Sequence, residues 1–176
     1  MDAINPETYR KRLITGTLAL LLVGQLAFST GTRCLTRSWT IGIASQGAAG
    51  SCLPWSVFVV HHVVPAHLVP GTLIEFEPPP AMRQLVGALP VVKMIAAGPG
   101  ELVDERDGAI WIDGHYWGRT WLDDYLRSAG IKPPATEHFV VPPKTFLVLG
   151  TSADSYDGRY WGVVPLSSID GTAGPL

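Results

Sequence analysis

The chain has 176 residues, enough for one principal domain with a real core, and thirteen basic against fifteen acidic residues give a formal charge of −2. That balance excludes the strongly basic surface of a nucleic-acid binder, so no nucleic-acid partner is expected. With 47% hydrophobic and only 16% charged residues the chain is more apolar than most soluble domains.

Part of that excess is local. Leu13 to Thr30 carries no charge, and Gln25 is its only strongly polar side chain. At helical rise this stretch reaches about 27 Å, the short end of a membrane span. Arg10, Lys11 and Arg12 precede it, and Arg33 and Arg37 follow. The exit Gln25-Leu26-Ala27-Phe28-Ser29-Thr30 lacks a small-x-small cleavage pattern, which favours a retained anchor over a cleaved signal peptide. The expected organisation is a cytoplasmic tail (1–12), a transmembrane anchor (13–30) and an exported domain (31–176). Cys34 and Cys52 fall in the exported part and are read as small unpaired hydrophobes, although an oxidising compartment permits a bridge.

From about residue 40 the signals are those of β-structure. Short Val/Ile/Phe/Leu runs separated by Gly and Pro predict strands over Trp55–Val64, Thr72–Phe76, Val91–Ala96, Ala109–Ile112, His138–Val141 and Thr145–Leu149. Such spacing argues an antiparallel sheet or barrel rather than alternating β-α units. Pro78-Pro79-Pro80 and Pro142-Pro143 read as exposed turns. One helix is expected over Thr120–Ala129, where Trp121, Leu122, Tyr125, Leu126 and Ala129 share a face. Gly171 to Leu176 reads as a flexible tail. His61, His62 and His67 have no matching Cys or carboxylate cluster and are taken as strand and loop residues, with no metal site.

Lys93 is the outlier. It stands in Leu85 to Ala97, a stretch with no other charge and no Asn, Gln, Ser or Thr. A charged side chain is rarely buried without a partner, and burial disfavours an ammonium, so a lysine in such a place is a candidate proton acceptor. A serine nucleophile without a histidine needs that acceptor. The plain alternative is a strand lysine whose amine reaches water past an apolar sheet. Ser51 follows the small residues Gly47-Ala48-Ala49-Gly50 and opens an apolar strand through Cys52-Leu53-Pro54. Small residues there let a substrate backbone approach and leave main-chain N–H groups for an oxyanion. Ser56 is the nearest competing serine, past Pro54. Trp55 and Phe58 are assigned to the core or to a membrane-facing surface.

Four stretches recur in order: Ser51-Cys52-Leu53-Pro54; Pro70-Gly71-Thr72 with its following apolar residues to Phe76; Val92-Lys93 with Gly98-Pro99-Gly100-Glu101; and Gly150-Thr151-Ser152 through Ser155-Tyr156-Asp157-Gly158-Arg159-Tyr160-Trp161-Gly162. Over roughly residues 50 to 165 plus the anchor, the series resembles the type I signal peptidase family, the membrane-bound Ser-Lys proteases. The resemblance implies a mainly β, barrel-like antiparallel fold behind one N-terminal transmembrane helix. It also implies Ser51 as nucleophile and Lys93 as general base. Ser155 would orient Lys93, with Asp157 and Arg159 as a supporting ion pair beside Gly150. The oxyanion region would be Ser51, Gly50 and Ala49, with no cofactor.

The chain departs from the family pattern at several points. Met94 replaces the Arg that follows the base, Gly158 replaces a Ser, and Thr151-Ser152 replace Asp-Asn. Ala49 stands where some members carry an oxyanion serine. The shortened final stretch is most similar to the conjugative-transfer, TraF-type branch, which processes pilin precursors. The implied setting is the bacterial inner membrane with a periplasmic catalytic domain, and the implied partners are the lipid bilayer and a membrane-inserted precursor such as a pilin. The other readings are a catalytically inactive scaffold and an envelope-binding domain of a secretion apparatus.

Overall fold

The computed structural model describes residues 17, 20–26, 38–43, 52–119, 138–152 and 155–176. Ala49, Gly50, Ser51, Cys34 and the helix expected over 120–129 lie outside these residues, as does the tail 1–12. Of the expected anchor, residues 17 and 20–26 are described and are helical. Among the described residues no helix is long and apolar enough to cross a membrane.

The chain divides into two compact units, residues 1–39 and 40–176. The strands in order are β1 (Trp39–Ile43), β2 (Val57–His61), β3 (Leu73–Phe76), β4 (Val91–Ala97), β5 (Leu102–Arg106), β6 (Ala109–Ile112), β7 (His115–Arg119), β8 (His138–Val140), β9 (Thr145–Leu149), β10 (Val164–Pro165) and β11 (Ile169–Pro175). Helix α1 (Pro80–Val86) precedes β4, and α2 (Gly158–Trp161) follows β9. A seven-stranded sheet runs β1-β2-β11-β3-β4-β9-β10 and a four-stranded one runs β7-β6-β5-β8. The pairings of β2 to β11 are all antiparallel. The fold is therefore mainly antiparallel β.

Alternation explains the outer strands and continuous burial the central ones. In β2, Phe58 and Val60 point into the core while Val57, Val59 and His61 are half-buried, the period of two of a one-sided strand. β9 is buried from Phe146 to Leu149 because both faces are covered. One core cluster takes Ala96, Ala97, Leu147 and Leu149 from the large sheet and Val103, Ile110 and Ile112 from the small one. A second gathers Ile74, Phe76, Ile95, Phe146, Val148, Val164 and Ile169.

Two expectations are corrected. The C-terminal stretch is no flexible tail: β11 runs to Pro175 and lies between β2 and β3, inside the sheet. Its Gly171-Thr172-Ala173-Gly174 carries little strand signal, but a Cβ at Gly171 would collide with the His61 carbonyl, so the glycine permits the close approach of backbones. The triple proline is also more than an exposed turn. Pro78 is buried, and Pro80 opens α1, where a missing N–H costs no hydrogen bond.

Candidate active site

Lys93 occupies the middle of β4, opposite Ile74 of β3. Alternation places it on the face of Val91 and Ile95, two residues of the second core cluster or packed against it. Only 1% of Lys93 is exposed. Its Nζ donates to Ser155 Oγ at 2.9 Å, and Ser155 is equally buried. The lysine that stood alone in an apolar run is thus neither at the surface nor without a polar partner.

Ser155 is held by the turn that follows β9. Its N–H donates to the Ser152 carbonyl at 3.3 Å. Gly150 begins this turn and is required there. A Cβ would collide with Ser155 Oγ and lie 2.5 Å from the Cys52 carbonyl oxygen. The Ser152 N–H donates to that same Cys52 carbonyl at 3.4 Å. The residue after Ser51 is therefore tied to the turn that positions the partner of Lys93.

A buried ion pair grips the turn from behind. Asp157 Oδ2 accepts from Gly150 N–H at 2.7 Å and from Arg159 Nη2 at 2.6 Å, while Oδ1 accepts from Arg159 Nε at 2.8 Å. Asp157 also caps α2 by accepting from the Arg159 N–H. The guanidinium donates outward to the carbonyls of Ser152 at 2.8 Å, Gly150 at 3.4 Å and Arg119 at 2.9 Å. Burial alone would weaken the Arg159 charge, but the hydrogen bonds and charge of Asp157 outweigh it and hold the guanidinium above its ordinary value. A planar fork satisfied on every side suits such a site, and a point-charge ammonium does not.

The departures from the family pattern acquire local reasons. At Gly158 a Cβ would come within 2.8 Å of both Leu147 Cδ1 and the Val148 carbonyl oxygen, so this backbone excludes the serine found elsewhere. Met94 packs against the cluster of Leu53, Phe58 and Leu73, where an arginine would bring a charge. The Gly98-Pro99-Gly100-Glu101 turn is closed by the Glu101 carboxylate, which accepts from Gly98 N–H at 2.5 Å. Gly100 there has a φ of 90°, which favours glycine.

The structure thus brings together Lys93, Ser155, Gly150, Asp157 and Arg159, and reaches the position next to Ser51 through Cys52. Ser56 is exposed ahead of β2, Trp55 is partly exposed, and Phe58 is core. Sequence reasoning missed the backbone partners, the carbonyls of Cys52 and Arg119, because a carbonyl leaves no residue-type signal.

Residues 27–175 match the family described as "Signal peptidase, peptidase S26", and the chain belongs to that family. It is similar to a "Signal peptidase I" of Leptolyngbya laminosa, 33% identical over 58% of this chain and 49% of that protein. A "Probable signal peptidase I-2" of Synechocystis sp. is 32% identical over 58% of this chain and 45% of its own length. A "Conjugal transfer protein TraF" of Agrobacterium fabrum is 33% identical over 49% of this chain and 48% of its own. The chain spans about half the length of these relatives. Among solved structures, a signal peptidase I from Enterococcus faecalis V583 matches at 26% identity with a TM-score of 0.40, covering 62% of this chain and 98% of that one.

Proposed function

We propose that this chain is a membrane-anchored serine endopeptidase that cleaves leader peptides from exported precursors, with Ser51 as nucleophile and Lys93 as base. The observation that carries the reading is the buried hydrogen bond from Lys93 Nζ to Ser155 Oγ. Lys93 gives one N–H to Ser155 and, as the base, takes the Ser51 hydroxyl proton on its nitrogen. Ser51 Oγ then bonds to the scissile carbonyl carbon, and main-chain N–H groups of the Ala49–Ser51 stretch receive the oxyanion. Collapse breaks the C–N bond, and the Lys93 ammonium returns its proton to the leaving amine. Lys93 next takes a proton from water, whose oxygen releases the acyl group from Ser51. Asp157 and Arg159 hold the turn that carries Ser155 and touch no substrate. No cofactor enters this scheme.

The anchor belongs to the same reading. The uncharged stretch 13–30 behind Arg10-Lys11-Arg12 supports a domain held at the periplasmic face of the inner membrane, beside the bilayer where its substrate would emerge. The similarity to a "Conjugal transfer protein TraF" supports a precursor used in conjugal transfer as that substrate, and the resemblance to the TraF-type branch implies a pilin. The test is labelling of the membrane-embedded full chain by a serine-directed acylating probe. Labelling of the wild type at Ser51, lost in Ser51→Ala, is expected. An unlabelled wild type would mark the chain as an inactive scaffold instead.

A further inference from the structure

A cleft of about 470 Å³ lies between β7 of the small sheet and the two segments that carry the site. It is lined by Met94, the neighbour of Lys93, by Thr151, the neighbour of Gly150, by Tyr116, Trp117, Gly118 and Arg119 of β7, and by Arg159. We propose that this cleft is a substrate subsite, and that it takes a bulky apolar side chain from an extended segment of the precursor. The inference rests on the peptidase reading and adds a selectivity that the Ala49–Gly50 side does not supply.

Three features of β7 point this way. Among the described residues the strand is the edge of its sheet, paired with β6, the position at which an extended peptide can add as a strand. Between Ile110 and Trp111 of β6 the register slips: Ile110 faces Gly118, Trp111 faces Tyr116, and Trp117 is the extra residue. A bulge of this kind bends a strand and re-aims a side chain. The Trp117 ring accordingly lies 5.8 Å from the Arg159 guanidinium, against the group that grips the Gly150–Ser152 turn. Third, Gly118 weakens an edge strand without a conformational reason, since its φ is ordinary and a Cβ there would meet nothing within 4 Å. A strand glycine facing open space marks a place where a ligand or another backbone comes close.

The chemistry of the walls selects the occupant. Two aromatic rings and a flexible thioether offer polarizable apolar contact to a large side chain. The Arg159 guanidinium is already committed to Asp157 and three carbonyls, and Arg119 and Thr151 complete the lining. The volume lies within the range of sites for small organic ligands and exceeds what an alanine methyl can fill. Met94 and Thr151 are chain neighbours of Lys93 and Gly150, so the cleft lies beside the two segments that carry the site.

The test uses the full chain in detergent micelles and internally quenched peptides containing an Ala-x-Ala leader sequence, with each flanking position set in turn to Ala, Leu or Trp. For the wild type, one or two flanking positions should show kcat/KM rising about tenfold from Ala to Leu or Trp, the scale of filling an apolar pocket. Gly118→Leu, which fills the cleft, should erase that preference, and Tyr116→Ala should reduce it. Melting curves of the variants confirm folding. A wild type that cleaves the peptides with no bulky preference overturns the subsite alone. A preference that survives Gly118→Leu in a folded variant does the same. A wild type that cleaves no peptide, and is not labelled at Ser51, overturns the peptidase reading and the subsite with it.

Discussion

Lys93 Nζ and Ser155 Oγ are 62 positions apart in the chain and 2.9 Å apart in the fold, both almost wholly buried. The contact joins the centre of β4 to the turn after β9, so neither segment alone makes the site. In the proposed mechanism this contact orients the Lys93 nitrogen before substrate arrives. Lys93→Ala should therefore lower kcat/KM by about a thousandfold or more, as loss of a whole catalytic unit does. Ser155→Ala should lower kcat about 10- to 100-fold, the scale of one lost hydrogen bond to a charged or buried group, with KM nearly unchanged. A fall in KM affinity with kcat intact would place Ser155 in binding instead of positioning. Steady-state kinetics on one peptide decide between them.

Gly150 is the narrowest point of the arrangement. An added methyl group at that position has to displace either Ser155 Oγ or the Cys52 carbonyl, and both are held by other bonds. Gly150→Ala should leave the protein folded, since overpacking by one methyl costs about 1–3 kcal/mol. It should nevertheless cut peptide cleavage and slow acylation of Ser51 by a serine-directed probe. Wild-type acylation rates in a folded Gly150→Ala variant would show that the turn does not position the reacting groups.

How much of this could be read from the residues differs by element. Lys93 stood out because charge in an apolar run is conspicuous, whereas Ser155, Asp157 and Arg159 were singled out by the resemblance to the signal peptidase family. The strands rich in branched and aromatic residues, such as Ala109–Ile112 and Thr145–Leu149, were legible at their ends as well. β5 (Leu-Val-Asp-Glu-Arg) and β7 (His-Tyr-Trp-Gly-Arg) were not, because their strand character comes from pairing with β6 and not from their own composition. β11 was hidden for the same reason, its glycines serving backbone approach. The Asp157–Arg159 grip was visible as a pair, but its purpose was not. That purpose lies in main-chain groups of Gly150, Ser152 and Arg119, which any residue type would supply.

Glu75, next to the Ile74 that faces Lys93 across the sheet, offers a pH test of stability. Burial raises its carboxyl above the ordinary 4.5; the nearby His62 lowers it and Asp170 raises it further. His62 Nδ1 stands 3.6 Å away and its Nε2 lies 2.9 Å from Thr40 Oγ1. A raised folded value means that the protonated form is favoured by folding. Glu75 therefore contributes stability below about pH 4.5 that is lost as pH rises through the folded value. Glu75→Gln, which keeps the shape without the charge, should raise Tm at pH 7, and the gain should vanish toward pH 4. A lower Tm for the variant at pH 7 would mean that the His62 contact outweighs burial.

The Asp157–Arg159 pair makes the sharpest claim about stability. Both side chains are buried, at 0% and 4% exposure, so removing either partner strands the other charge. Asp157→Ala and Arg159→Met should each cost about 3–5 kcal/mol in chemical unfolding of the full chain. The double variant removes both charges and should lose clearly less than the sum of the two singles, because the stranded charge is counted in each single. It should still fall short of the wild type. With both side chains gone, Gly150 N–H loses its bond to Asp157 and the carbonyls of Gly150, Ser152 and Arg119 lose theirs to Arg159, and buried unsatisfied backbone groups cost about 1–3 kcal/mol each. Arg159→Lys separates charge from geometry. The ammonium can neutralise Asp157, but it cannot reach three carbonyls and two carboxylate oxygens from one planar fork. It should recover only part of the stability of Arg159→Met, and the Ser51 acylation rate should remain depressed because the Gly150–Ser152 turn is no longer gripped. Strictly additive losses in the double variant, or full recovery of stability and acylation by Arg159→Lys, would show that the pair acts as a simple charge couple and not as the clamp on the turn that carries Ser155.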